Sequence, residues 1–283
     1  MGNLLQIKEP LVSVHWLYQN IEATNLIVLD GTLPKVSLNK TANNPEANQI
    51  PNARFFDIKN TFSIQGATFP NTVITPEDFE IAARELGIKK NSCIVVYDTH
   101  GVYSSPRVWW LFKTMGFENI AVLDGGFPAW KEANYSIEKK QIYDFELGDF
   151  EVNYQSKKII NSEIVLQSIT KKSKQIVDAR SAGRFNAEEP EPRKDVRSGH
   201  IPSSTNLPYS SLLHNFKLKP TDDLVQLFYK ANPKSQELIF SCGSGITACV
   251  LALGATIAGY KEISVYDGSW TEWGSLSHLP IEK

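Results

Sequence analysis

Short apolar runs alternate with amphipathic stretches along this chain. Leu26–Leu29, Cys93–Tyr97, Ile120–Leu123, Gln175–Val177, Glu237–Phe240 and Ile263–Tyr266 are rich in β-branched and aromatic residues, and most are followed by Asp, Gly or Ser. Such runs read as buried strands. Helices fall between them. Thr75-Pro76-Glu77-Asp78 supplies an N-cap, a proline in the first turn and two acids near the positive helix end. That helix continues through Phe79, Ala82, Ala83 and Leu86, and Gly87 stops it. The alternation predicts an α/β fold whose mainly parallel sheets are flanked by helices.

The pattern also repeats. Val95-Val96-Tyr97-Asp98 leads through a loop to a helix, then to Ile120-Ala121-Val122-Leu123-Asp124-Gly125 and Trp130. Leu238-Ile239-Phe240-Ser241-Cys242 leads through a loop to a small-residue helix, then to Ile263-Ser264-Val265-Tyr266-Asp267-Gly268 and Trp270. Asp98 to Asp124 is 26 positions and Cys242 to Asp267 is 25. Upstream, Gln49-Ile50-Pro51-Asn52-Ala53 answers His200-Ile201-Pro202-Ser203-Ser204. Two tandem copies of one α/β unit are therefore expected. The stretch from Ser136 to Lys158 is polar, charged and aperiodic, and fits a linker. The units are placed at residues 1–140 and 159–283, with 141–158 between them.

Composition narrows the function. The 283 residues carry 29 Lys+Arg against 31 Asp+Glu, a formal net charge of −2. That balance argues against nucleic acid or an anionic membrane as the main partner. The chain has 3 cysteines, too few for a disulfide framework and odd in number, so reduced thiols in the cytoplasm are expected. Met1 to Pro10 shows no basic cluster leading into an apolar core. The apolar stretch from Ala248 to Ala258 is too short to span a bilayer. His15, His100, His214 and His278 have no ligand partners at metal-binding spacing, and His200 reads as a turn residue. No phosphate-cradling glycine motif follows a strand. Neither a metal nor a nucleotide cofactor is expected.

The chemical centre is Cys242. Ser241-Cys242-Gly243-Ser244-Gly245-Ile246-Thr247 lies between a strand and a helix. Its glycines allow a tight loop with amides turned inward, and the helix adds the positive end of its dipole. Such a cradle favours an anionic sulfur. Cys93, within a strand, and Cys249, within a helix, read as structural. A phosphatase would need Arg six residues after the cysteine, where Ala248 stands. A dithiol redox site would need Cys three residues on, where Gly245 stands. Sulfur transfer through a persulfide remains.

From about Val12 to Trp273 the chain resembles the two-domain rhodanese family, and within it the branch that uses 3-mercaptopyruvate. The resemblance is carried by Cys242-Gly243-Ser244-Gly245-Ile246-Thr247, Val177-Asp178-Ala179-Arg180, Gly199-His200-Ile201-Pro202, Asn206-Leu207-Pro208 and Tyr266-Asp267-Gly268-Ser269-Trp270-Thr271-Glu272-Trp273. It implies a first domain that keeps the fold but has lost its cysteine, which matches Asp98. It implies Cys242 as nucleophile and persulfide carrier, with Ser244 and Thr247 as catalytic hydroxyls. Gly243, Gly245, Ile246 and Tyr103 would border the substrate. Members that use thiosulfate, a dianion, carry Arg and Lys in the loop, where this chain has Gly243 and Ser244. A neutral loop suits a donor whose single carboxylate is held elsewhere. By resemblance, Arg184 and Arg193 hold it, as paired guanidinium hydrogen bonds allow. From residue type alone, both read as solvated arginines among Glu188, Glu189 and Glu191. The acceptor would be a small thiol, cyanide or a reduced thioredoxin-like protein. Thiosulfate sulfurtransfer, and a non-catalytic persulfide carrier or binding module, are the alternatives.

One departure stands out. Many relatives carry an acidic residue and a histidine after Phe-Phe-Asp-Ile that act with the loop serine. Here Phe55-Phe56-Asp57-Ile58 precedes Lys59, and no histidine occurs from Lys59 to Pro76. Asp57 is left with an orienting role, and proton handling falls to Ser244 or water. Trp109, Trp110, Trp130, Trp270 and Trp273 are expected in cores or at the domain interface.

Overall fold

A computed structural model describes residues 4–35, 46–234 and 236–283. All six apolar runs form strands. In the first half, β1 (Leu11–Val12), β2 (Leu26–Asp30), β3 (Arg54–Phe55), β4 (Cys93–Tyr97) and β5 (Ile120–Leu123) make a parallel sheet in the order β1-β5-β4-β2-β3. In the second half, β6 (Ile159–Ile160), β7 (Lys174–Asp178), β8 (Thr205–Asn206), β9 (Glu237–Ser241) and β10 (Ile263–Tyr266) make another, ordered β6-β10-β9-β7-β8. The two orders are the same topology. The edge strands β1, β3, β6 and β8 have two residues each, too short to leave a periodic signature.

The helices are α1 (Val14–Asn20), α2 (Pro76–Glu85), α3 (Ser105–Thr114), α4 (Gly126–Glu132), α5 (Ser162–Lys171), α6 (Ala182–Phe185), α7 (Thr221–Ala231), α8 (Ala248–Ile257) and α9 (Ser269–Ser275). The expected cap of α2 is present: Asp78 N donates to Thr75 Oγ1 at 3.1 Å. The matching upstream turns also coincide. Ala53 N donates to Ile50 O and Ser204 N to Ile201 O, both at 3.1 Å, with Asn52 and Ser203 at φ of 59° and 62°.

The largest core lies between the two sheets, where α3 and α8 pack together. Trp109, Trp110 and Phe112 from α3 join Val250, Leu251 and Leu253 from α8 in one continuous buried cluster. Residues Ala248–Ala255 of α8 are all buried, which is why that stretch is apolar all round. Smaller cores cover the outer sheet faces, one holding Trp130 and the other Trp270 and Trp273. The tryptophans are packing residues.

The polar segment after α4 departs from the linker expectation. Glu138–Lys139 pairs antiparallel with Asn48–Gln49. Farther on, Gly148 N donates to Arg84 O (2.8 Å), Phe150 N to Ile88 O (3.1 Å) and Asn153 N to Met115 O (2.9 Å). Phe150 is fully buried, with ring centroids of Phe79, Phe112 and Phe117 within 6.0 Å. The segment is strapped along the first sheet unit by one aromatic and a row of backbone hydrogen bonds, which a charged composition conceals. Among the described residues, no helix is long and apolar enough to cross a membrane.

Removing the Phe150 anchor is expected to be costly: Phe150→Ala should lower unfolding free energy by about 3–5 kcal/mol in urea melts. Ile142→Ala, at a position 98% exposed, should leave it unchanged.

Candidate active site

Parallel strands gather backbone ends and loops at their carboxyl edge, and a ligand site is expected there. Ala179 and Arg180 follow β7, Cys242 follows β9, and these residues meet at the floor of a cleft of about 460 Å³. Gly243, Ser244, Ile246, Thr247, Arg184, Arg193 and Tyr103 also line it, as do Lys35, Lys59, Asn71 and Tyr209. The cleft thus draws on both halves of the chain.

The Cys242 loop is held from below. Cys242 N donates to Ser269 Oγ (3.1 Å), and the same hydroxyl lies 3.9 Å from the Cys242 Sγ. Trp270 N donates to Cys242 O and Thr271 N to Gly243 O, both at 2.9 Å. The N-terminus of α9 therefore braces the loop. Gly245 does not line the cleft: it turns the chain at φ 76°, where a Cβ would lie 2.7 Å from Asp267 O. Thr247 immediately precedes α8. Cys242 as a whole is 1% exposed and lines the cleft. Burial pushes the Cys93 thiol up to about 11 and the Cys249 thiol up to about 12. Neither is suited to act as a thiolate.

The two arginines differ. Arg184 Nη2 donates to Glu191 Oε2 at 2.6 Å, and Glu191 also takes Arg180 Nη1 at 2.9 Å. Arg193 meets hydroxyls instead, Thr271 Oγ1 at 3.2 Å and Ser244 Oγ at 3.4 Å. Burial and the neighbouring Arg184 charge hold the Arg193 guanidinium below its ordinary value. Tyr103 packs 5.8 Å from Tyr209, and Lys35 Nζ lies 5.2 Å from its ring centroid. Asp57 does not join this group. It accepts from Lys59 N (3.1 Å), Asn60 N (2.9 Å) and Asn60 Nδ2 (2.8 Å), capping its own turn. His200 stacks on Phe185 at 3.8 Å and bonds Phe185 O, a structural role.

Comparison with known proteins decides the family. A model described as "Rhodanese-like domain" matches residues 13–133 and 162–276. A 3-mercaptopyruvate sulfurtransferase of Escherichia coli is 34% identical over 274 residues, covering 96% of this chain and 97% of that protein. A mitochondrial thiosulfate/3-mercaptopyruvate sulfurtransferase of Arabidopsis thaliana is 34% identical over 298 residues, covering 97% and 78%. The crystal structure of the 3-mercaptopyruvate sulfotransferase SseA from E. coli superposes with a TM-score of 0.81 at 32% identity, covering 93% of this chain and 99% of that one.

The chain belongs to the rhodanese family. It lies close to the family's 3-mercaptopyruvate sulfurtransferases, and it is a sulfurtransferase by kinship.

In this rhodanese, the first unit holds a counterpart of the Cys242 loop. Asp98 Oδ2 accepts from the amides of Tyr103, Ser104 and Ser105, each at 2.9 Å, and from Ser105 Oγ at 2.7 Å. Gly101 repeats the left-handed turn of Gly245, at φ 103°. Phe127 N donates to Asp98 O (3.1 Å) as Trp270 N does to Cys242 O. One loop is filled by its own carboxylate; the other presents a thiol.

Sequence reasoning missed the groups that join the two units. Arg107, 1% exposed, donates through Nη2 to Asp267 Oδ1 (2.6 Å) and Asn71 O (2.9 Å), and through Nη1 to Gly245 O (3.4 Å). Val73 N donates to Asp267 Oδ2 at 3.0 Å. The repeat pairs Asp267 with Asp124, a hint that the position matters; nothing in the local pattern singled out Asn71.

Arg107→Met would leave Asp267 buried without its partner, and should destabilise the protein by about 3–5 kcal/mol in urea melts. A change under about 1 kcal/mol would mean that the pair contributes no more than a surface ion pair.

Proposed function

We propose that the protein takes a sulfur atom from 3-mercaptopyruvate onto Cys242 and passes it to a thiol, releasing pyruvate. The observation that carries this reading is the pairing of Cys242, in a loop without charged side chains, with Arg193, whose guanidinium faces that loop and contacts hydroxyls rather than a carboxylate.

The Cys242 thiolate attacks the donor's sulfur. An S–S bond forms as the C–S bond breaks, and that electron pair leaves as the enolate of pyruvate. The proton that began on the donor's thiol stays on the outer persulfide sulfur, then passes to the enolate carbon. Pyruvate and a persulfide anion result, and the balance needs no oxidant. Amides of the loop and the start of α8 stabilise charge on sulfur, and the Ser244 hydroxyl meets the charge developing on the enolate oxygen. The Asp98 side chain, held by the amides of Tyr103, Ser104 and Ser105 in the corresponding loop of the first unit, supports this: a loop of this shape turns backbone donors toward the group at its centre.

Arg193 binds the donor carboxylate, with Arg184, already engaged by Glu191, in a lesser part. Thr247 and Tyr103 border the bound donor. Acceptors are small thiols, cyanide or a reduced thioredoxin-like protein, entering between Lys35, Lys59 and Tyr103, in a reducing compartment such as the cytoplasm. Thiosulfate is the competing donor, and the cationic Lys35 and Lys59 in the cleft are what favour it.

Steady-state kinetics with both donors test this. The kcat/KM should favour 3-mercaptopyruvate, and a preference for thiosulfate would overturn the donor assignment. Cys242→Ser should abolish transfer, with Cys249→Ser and Cys93→Ser keeping most of it. Arg193→Ala should raise KM for 3-mercaptopyruvate roughly tenfold or more, the scale of a charge-assisted hydrogen bond, with a smaller rise for Arg184→Ala. Unchanged KM in both would remove the arginines from donor binding.

A further inference from the structure

Ser244 has an unassigned partner across the domain boundary. Asn71 Nδ2 lies 3.0 Å from Ser244 O and 3.1 Å from Ser244 Oγ. A carbonyl oxygen can only accept, so the side-chain atom facing it must be the NH₂ and not the amide oxygen. The orientation of Asn71 is thereby fixed by chemistry. With both hydrogens available, the same nitrogen donates to the Ser244 hydroxyl oxygen. Arg193 Nη2 adds a second, longer donor at 3.4 Å. A serine hydroxyl has two lone pairs and one hydrogen. With its lone pairs facing Asn71 and Arg193, its hydrogen is directed elsewhere, and Ser244 lines the cleft.

The backbone supports the placement. Asn71 sits at φ 61°, a left-handed conformation that Asn tolerates better than most residues. Its own carbonyl accepts from the buried Arg107 at 2.9 Å. Two residues on, Val73 N is held by Asp267. The Asn71 side chain is thus delivered to Ser244 by the same network that joins the two units.

We propose that Asn71 is a positioning residue that polarises Ser244 as a fixed hydrogen-bond donor toward the leaving enolate. An amide can donate to the hydroxyl but cannot carry its proton away, so Ser244 here stabilises charge and relays no proton. The pyruvate proton then comes from the persulfide. This inference rests on the mercaptopyruvate reading above.

A double-mutant cycle tests it, with kcat and KM for 3-mercaptopyruvate measured separately and thermal melts alongside. Asn71→Gly removes the amide without straining the left-handed turn. It should lower kcat about tenfold, the scale of one neutral hydrogen bond, with KM within about twofold. Ser244→Ala should lower kcat about 100-fold, as loss of an oxyanion donor does. If Asn71 acts through Ser244, the double variant should match Ser244→Ala instead of falling about 1000-fold. Asn71→Asp replaces the donor by an acceptor and loses the bonds to both Ser244 O and Ser244 Oγ, so it should not restore the rate lost in Asn71→Gly. A role confined to holding the loop is separated by the double-mutant cycle, in which its loss would persist in the Ser244→Ala background. Losses that multiply, a loss seen in KM alone, or full activity in Asn71→Asp would each overturn the proposal. Wild-type turnover reports on the donor by itself: an active wild type with multiplying losses removes only the role of Asn71. A wild type inactive with 3-mercaptopyruvate removes both readings.

Discussion

The site depends on one buried ion pair. Arg107 leaves α3 in the first unit and meets Asp267, which follows β10 in the second. Burying two charges costs several kcal/mol each unless further hydrogen bonds complete them. Here they are completed by Asn71 O, Gly245 O and Val73 N. The acceptors are what matter for function. Gly245 shapes the Cys242 loop, and Asn71 reaches Ser244. A nonpolar pair of the same volume would seal the interface as well, but would not fix the register between the halves. The apolar packing of α3 on α8 supplies cohesion, and the charged pair supplies alignment.

The tandem design accounts for the proposal that only one half does chemistry. The sheets share one strand order, and the loops after β4 and β9 share a left-handed glycine and a brace from the following helix. In the first, the Asp98 side chain accepts from the amides and fills the cradle itself. In the second, Cys242 stands at the matching place and the loop carries no carboxylate, which leaves the cradle open to the cleft. The first unit instead contributes the far wall of the cleft, through Tyr103, Lys59 and Asn71.

Much of this was legible in the chain. The buried strands declared themselves because parallel strands covered on both faces leave continuous apolar runs. The duplication was visible because the Asp98 and Cys242 loops sit at matching points of a repeating pattern. Cys242 was separable from Cys93 and Cys249 because its neighbours are glycines and not core residues. What escaped was nonlocal. Arg107 lies in a helix of mostly apolar residues, and its partner Asp267 is 160 positions away in the sequence. Asn71 looks like an ordinary turn residue, and its role exists only where two halves of the chain meet. Arg184 and Arg193 looked equivalent, and their partners distinguish them: Glu191 for the first, the hydroxyls of Thr271 and Ser244 for the second. The strap around Phe150 was hidden by its charged neighbours.

The central claim is that sulfur rests on Cys242. The most direct measurement is the intact mass of the protein after brief exposure to 3-mercaptopyruvate without an acceptor, followed by peptide mapping. The account predicts a gain of about 32 Da, one sulfur atom, on Cys242, lost again when a thiol is added. No added mass while Cys242 is reduced, or added sulfur mapped to Cys93 or Cys249, would contradict it.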